Sequence, residues 1–151
     1  EERNFGYRPG TQEEKERDYL QPLFDALIDI NEQPEKALIP TNLNEMKKKS
    51  IGWVETFSHT FTRGMNIKNK VVVIDEAQNW TVEQLKKILT RCHKSCRIVV
   101  IGHTGQIDLP IKEHSGFQRY IEHFRDKERA KICNLTKNFR GWVAQWADEL
   151  N

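Results

Sequence analysis

Two uninterrupted apolar runs, Val71-Val72-Val73-Ile74 and Ile98 to Ile101, stand out along a chain that otherwise mixes polar and apolar positions. Short continuous runs rich in β-branched residues are the pattern of strands covered on both faces of a parallel sheet. Between them, Thr81 and Gln84 stand at capping-box spacing, and Val82, Leu85, Ile88 and Leu89 recur on one helical face. A helix is therefore predicted up to about Cys92. Strand, helix and strand in that order make a right-handed crossover unit with the two strands parallel.

The flanking pattern is weaker. The stretch to about Asp18 is polar, contains Gly6, Pro9 and Gly10, and reads as a loop leading into a helix. Pro22 suits the first turn of that helix; Leu23, Phe24, Leu27 and Ile28 mark its buried face, and it should end before Pro34. A second helix is predicted over roughly Thr41 to Lys49, then a short strand from Ile51 to Phe57 and a link through Thr62, Arg63 and Gly64. After the second apolar run, Gly102 opens a polar loop to Pro110. An amphipathic helix follows from about Gly116 to Phe124, then a last short strand at Ile132 to Leu135 and a closing helix carrying Trp142, Val143, Trp146 and Leu150. The pattern predicts an α/β fold of three layers, with a mainly parallel sheet between helices.

A chain of 151 residues with 37% hydrophobic and 30% charged positions supports one compact domain, taken here as residues 1–151. The 24 basic and 22 acidic side chains nearly cancel, so any surface that attracts nucleic acid must be local; Lys47, Lys48 and Lys49 form one short basic run. Three cysteines, Cys92, Cys96 and Cys133, are an odd number at irregular spacing, which argues against a disulfide framework and for a reducing compartment, by default the cytoplasm. Cys92, His93 and Cys96 lack the further ligands that would complete a tetrahedral zinc set. No apolar run approaches the roughly 20 residues of a membrane span, and no signal segment opens the chain. The first residue is Glu1 rather than Met, so the start reads as a cut or processed end.

In open parallel sheets ligands bind outside the carboxyl ends of the strands, and both apolar runs hand over to polar residues there. That edge carries Asp75, Glu76, Gln78 and Asn79 from one strand, and His103, Thr104, Gln106 and Asp108 from the next. A carboxylate directly after a buried strand suits magnesium held through water, and its neighbouring Glu suits polarisation of an attacking water. That is the form of a Walker B motif. The alternative is that Asp75 and Glu76 only end the strand and favour the dipole of the next helix.

The resemblance becomes specific through Asp75-Glu76-Ala77-Gln78-Asn79, then Thr81, Gln84, Leu85 and Lys86, Leu89-Thr90-Arg91, Gly102 to Gln106, Ile107-Asp108-Leu109-Pro110 and Ser115-Gly116. Upstream it includes Gly6-Tyr7-Arg8-Pro9-Gly10, Glu14-Lys15, Tyr19-Leu20, Pro22-Leu23, Asp25-Ala26-Leu27 and Arg63-Gly64. In this order of motifs the chain resembles the PhoH-like family. The resemblance implies part of a P-loop NTPase fold of the RecA or helicase type, ATP and Mg2+ as cofactors, an association with RNA or single-stranded DNA, and a homo-oligomeric ring. It assigns Asp75 to the metal, Glu76 and Gln106 to the attacking water or γ-phosphate, and Gln78 to the nucleotide edge. Leu135-Thr136-Lys137-Asn138-Phe139-Arg140 resembles the helicase segment whose Arg reaches the triphosphate. Arg140 is accordingly a catalytic candidate, with Arg63 and Arg91 as candidates acting across a subunit boundary.

Two departures shape the expectation. The family's phosphate-binding loop, Gly-x-x-x-x-Gly-Lys followed by Ser or Thr, is expected upstream of Gly6, and nothing in this sequence fits it. Its backbone amides and Lys supply much of the grip on a triphosphate, so this segment by itself is expected to bind ATP poorly and to be inactive. The family's Gly-Asp-x-x-Gln segment stands here as Gly102-His103-Thr104-Gly105-Gln106, an imidazole in place of a carboxylate. His103 is either part of the site or a loop histidine bonded to backbone. Trp142 and Trp146 lie four apart on one helical face, a spacing of core or subunit contact more than of base stacking, and Trp80 either covers the site or packs under its helix. The first functional reading is a Mg2+-dependent ATPase; the alternative is a non-catalytic regulatory or partner-binding module derived from the same fold.

Overall fold

The computed structural model describes residues 12–39, 52–57, 64–137, 139 and 141–149, with the backbone alone for 12–19, 145 and 148. The chain divides into two compact units, residues 1–61 and 62–151.

In the first unit, helix α1 spans Gln12–Asp29. It begins well before Pro22, so that proline sits inside the helix and not in its first turn. A proline there withholds the N–H that residue 18's carbonyl would accept, a local cost that the helix absorbs. Leu27 is buried, whereas Ile28 is exposed. The helix stops at Asn31, which takes a left-handed φ of 61°. Asn31 N–H donates to Ile28 O and Glu32 N–H to Leu27 O, both at 2.9 Å. These are the paired bonds of a Schellman ending, with asparagine where glycine is commonest. Helix α2, Pro34–Ala37, follows with proline at its first turn.

The strand predicted over residues 51–57 is reduced to one parallel bridge, Leu38 with Val54, and Trp53 on it is largely exposed. A run with a single bonded neighbour gains too few ladder bonds to extend into a strand. The contact is nevertheless close. A Cβ on Gly52 would stand 2.5 Å from Leu38 O, so only glycine allows the two backbones this approach. The helix predicted over residues 41–49, with its basic run, lies outside the described residues.

The second unit holds the predicted crossover. Strand β1, Val71–Ile74, pairs in parallel with β2, Arg97–Val100, in the register Val71 to Arg97 and Ile74 to Val100. Helix α3, Val82–Leu89, connects them, and helix α4, Phe117–Phe124, comes after β2. The core is Ile67, Val72, Ile74, Ala77, Leu85, Ile88 and Phe117, so both helices pack on the face of β1 that carries Val72 and Ile74.

The opposite face differs from expectation. Val71 and Val73 are 64% and 58% exposed, so the strand is covered on one face here, not two. Continuous apolar runs signal two-sided burial only when both helical layers are present. Among the described residues, the second unit is an α/β arrangement with a small parallel sheet and one helical layer. The strand predicted at Ile132 to Leu135 is likewise unformed: Leu135 is almost wholly exposed, and neither strand of the sheet bonds to it. Helix α5, Trp142–Asp148, is present, and its two tryptophan rings meet edge to face at 4.8 Å while both stay exposed.

The start of α3 is set by the capping box read from the sequence. Thr81 Oγ1 accepts from Gln84 N–H, and Gln84 Oε1 accepts from Thr81 N–H, at 3.2 and 2.8 Å. Thr81→Ala removes one of these reciprocal bonds and is expected to cost about 1 kcal/mol in urea unfolding. The junction with α4 is tight: Gly116 N–H donates to Trp80 O at 2.7 Å, and a Cβ on Gly116 would lie 2.4 Å from Val82 N.

Candidate active site

The site grows out of a sharp turn at the carboxyl end of β1. Asp75 and Glu76 are exposed, while Ala77 and Gln78 directly after them are buried. The reversal is made by Glu76, whose φ of 50° and ψ of 40° fall in the left-handed region that a side chain with a Cβ adopts at a cost. Asp75 supports it, Oδ1 accepting from Glu76 N–H at 2.9 Å. A 3-10 turn, Ala77–Asn79, then leads to Thr81 and α3.

The loop after β2 is fastened to this turn at three points. Ala77 N–H donates to Ile101 O at 2.9 Å, His103 N–H to Gln78 Oε1 at 3.0 Å, and Asp108 N–H to Asn79 Oδ1 at 2.8 Å. Because the strands are parallel and in register at their last residues, the loop carrying Gln106 leaves the same end of the sheet as Asp75. Gln106 is exposed and its N–H donates to His103 O at 3.2 Å, closing a turn. The His103 ring belongs to that turn, since Nδ1 accepts from Gly105 N–H at 3.1 Å. The backbone-bonded alternative for this histidine thus describes its place in the loop.

Gln78 is placed differently from a side chain open to nucleotide. It is 2% exposed, and both ends of its amide are engaged within the chain: Nε2 donates to Glu76 Oε2 at 2.6 Å, and Oε1 accepts from His103 N–H. Asn79 was legible only as a polar residue at the edge; its role as anchor for the Asp108 end of the loop required the tertiary structure.

Arg91 lies elsewhere. Its carbonyl accepts from Ile67 N–H at 2.9 Å, which places it beside the residues that precede β1, away from the end bearing Asp75. Its Nε is buried without a hydrogen-bond partner among the described residues. Nearby, Cys92 Sγ donates to Ile88 O and Cys96 Sγ to Ile67 O. Burial, and then the neighbouring Cys96, push the Cys92 thiol above its ordinary range. Arg63 and Arg140 lie outside the described residues, as do Gly6 to Gly10.

Asp75 and Glu76 offer carboxylate oxygens to a hard divalent cation, with no group of three or more His, Cys, Asp or Glu side chains that could hold a metal among the described residues. Asp75 Oδ1 is used by the turn and its other oxygen accepts no bond among the described residues; Glu76 keeps Oε1 open while Oε2 is held. Two exposed carboxylates with open oxygens at the strand edge are oxygen ligands of the kind Mg2+ takes.

Comparison with known proteins agrees with the motif order. A family model described as PhoH-like protein matches residues 1–147. The PhoH-like protein of Mycobacterium tuberculosis (strain H37Rv) is 40% identical over 132 residues, covering 87% of this chain and 35% of that protein. Protein PhoH2 of Bacillus subtilis is 33% identical over 150 residues, 98% of this chain and 33% of its own length. Protein PhoH of Escherichia coli K12 is 32% identical over 134 residues, 89% and 36% respectively. The chain thus spans about a third of the length of these relatives. No helix among the described residues is long and apolar enough to cross a membrane. With the family model matching nearly end to end and the Asp75-Glu76 edge built on a parallel α/β unit, the chain belongs to the PhoH-like family of P-loop NTPase domains.

Proposed function

We propose that this segment is the metal- and water-handling half of a Mg2+-dependent ATPase coupled to RNA or single-stranded DNA. The observation that carries the reading is the fastening of the 101–108 loop to the Asp75–Asn79 turn, which gathers Asp75, Glu76 and the loop of Gln106 at one sheet edge. Asp75 would hold the cation, and Glu76 would take the proton of the attacking water. Bound Mg2+ supplies charge neutralisation at the phosphates. Gln106 would orient the water or γ-phosphate, and Arg140 would neutralise charge developing on the transferred group. Arg91, remote from Asp75 within one chain, fits a role only across a subunit boundary, and Arg63 is proposed for the same role on resemblance alone.

The phosphate loop is expected outside this segment, so the segment alone is read as inactive. The exposed face of Val71, Val73 and Val99 is where a second helical layer would complete a three-layer sandwich. Assembly into a homo-oligomeric ring and a cytoplasmic setting complete the proposal. The non-catalytic alternative draws on His103, whose imidazole stands where the family carries a carboxylate and is committed to its own turn.

Full-length protein, titrated with fluorescent RNA and single-stranded DNA over a salt series, tests the coupling. Log affinity is expected to fall linearly with log salt, because phosphate contacts release counterions. ATP turnover should rise with the oligonucleotide. Salt-insensitive binding, or none at low salt, counts against a nucleic-acid substrate; absent turnover favours the non-catalytic module.

A further inference from the structure

We propose that Gln78 is the positioning residue of this site, joining the Glu76 carboxylate and the 102–106 loop into one hydrogen-bonded unit. The inference rests on the reading of Glu76 as the group that takes the proton from water.

Gln78 is the one polar residue buried as a whole among the described residues, at 2% exposed. A buried amide needs partners for its donor and its acceptor. Both partners lie at the site: Glu76 Oε2 at 2.6 Å from Nε2, and His103 N at 3.0 Å from Oε1. Their chemistry also sets the amide's orientation. Turning it over would put its NH2 group against the His103 N–H and its carbonyl against a carboxylate, so both contacts would become repulsive. The walls leave little room to rotate away. A Cβ on Gly102 would lie 2.9 Å from Gln78 Oε1 and 2.9 Å from Phe117 Cε1, so the glycine is what lets the loop close over the amide.

Two consequences follow for the chemistry. Glu76 is exposed and has three rotatable side-chain bonds, so without Gln78 its carboxylate would sample many positions; the short bond from Nε2 selects one. The same amide grips the backbone at the start of the turn that carries Gln106. A shift of that loop when ligand binds or leaves pulls on His103 N–H, and through Gln78 it moves or releases the carboxylate. Gln78 therefore acts through Glu76 and touches no nucleotide itself.

The test uses full-length protein selectively labelled with 15N-glutamine and, separately, 15N-histidine. In wild type the Gln78 side-chain amide protons should exchange slowly with water, and Glu76→Ala should shift their resonances and speed exchange. Gln78→Met, of similar size with no amide, should expose the His103 backbone amide to faster exchange. Gln78→Glu keeps an acceptor for His103 N–H but sets a second carboxylate against Glu76, so His103 should stay protected. Both Gln78 variants should lower kcat about 10–100-fold, with KM for nucleotide within about twofold, as expected for loss of positioning.

Wild-type kcat in Gln78→Met overturns the proposal, as does a Gln78 amide that exchanges freely or ignores Glu76→Ala. A rise in KM with little change in kcat also overturns it, by making Gln78 a nucleotide contact. If the wild-type protein does not turn over ATP, the enzymatic reading fails by itself, and the amide measurements on wild type and Glu76→Ala still decide whether the linkage exists.

Discussion

Glu76→Gln in the full-length protein is expected to lower ATP turnover by roughly 10²–10⁴-fold while leaving Mg2+ and nucleotide binding nearly unchanged. The amide retains the size of the carboxylate but cannot accept a proton from the attacking water. It also faces Gln78 Nε2 with either its own carbonyl, which preserves the contact, or its NH2, which breaks it. Asp75→Asn should divide the effects the other way: nucleotide affinity falls when Mg2+ is present and changes little without it, since the charge facing the cation is lost. Turnover and equilibrium nucleotide binding, each measured with and without Mg2+, separate the two. The 151-residue segment alone should hydrolyse ATP at background. Robust turnover by the segment would overturn the need for an outside phosphate loop, and a fully active Glu76→Gln protein would remove Glu76 from its role.

Ile88→Ala is expected to destabilise the second unit by about 2–5 kcal/mol. Ile88 is 1% exposed on α3 and belongs to the cluster with Val72, Ile74, Leu85 and Phe117, so truncation both forfeits buried area and leaves a cavity among side chains from two strand positions and two helices. A stability of order 5–15 kcal/mol for a domain makes this a large fraction of the whole. Val73→Ala supplies the contrast. Its side chain is 58% exposed on the open face, so in this segment the change should cost under about 1 kcal/mol. In full-length protein a larger Val73 cost would mark a second layer over that face. Urea unfolding of both variants, in the segment and in the full-length protein, measures each of these differences. A loss under about 1 kcal/mol for Ile88→Ala would mean that the cluster is not the core.

The elements read most accurately from the sequence were those determined by local chemistry. The capping box at Thr81 and Gln84, the apolar face of α3 and the amphipathic helix that begins after Gly116 each involve residues within a few positions of one another, and all are present in the structure. The short strands were legible only where a partner exists in the chain. Val71–Ile74 and Arg97–Val100 find each other, whereas Ile132 to Leu135, interrupted by Asn134, has no bonded edge. Residues 51–57 are intermediate, with a single bridge. Strand formation depends on neighbours brought from elsewhere, and pattern alone does not report whether they are there.

For the site, sequence alone determined which chemistry is possible: two carboxylates after an apolar strand, a glutamine-bearing loop after the next, and the motif order that places the chain in its family. These follow from residue identity and spacing. Tertiary structure decided how that chemistry is held. Whether Gln78 faces nucleotide or is buried between Glu76 and His103 depends on a left-handed turn at Glu76 and on a loop fastened 25 residues later in the chain. It likewise decided that Arg91 stands away from Asp75, through a bond to Ile67 at the other end of β1. Hydrogen bonds between residues far apart in sequence have no local signal, because the free energy that selects them belongs to the packed core that brings the strand ends together.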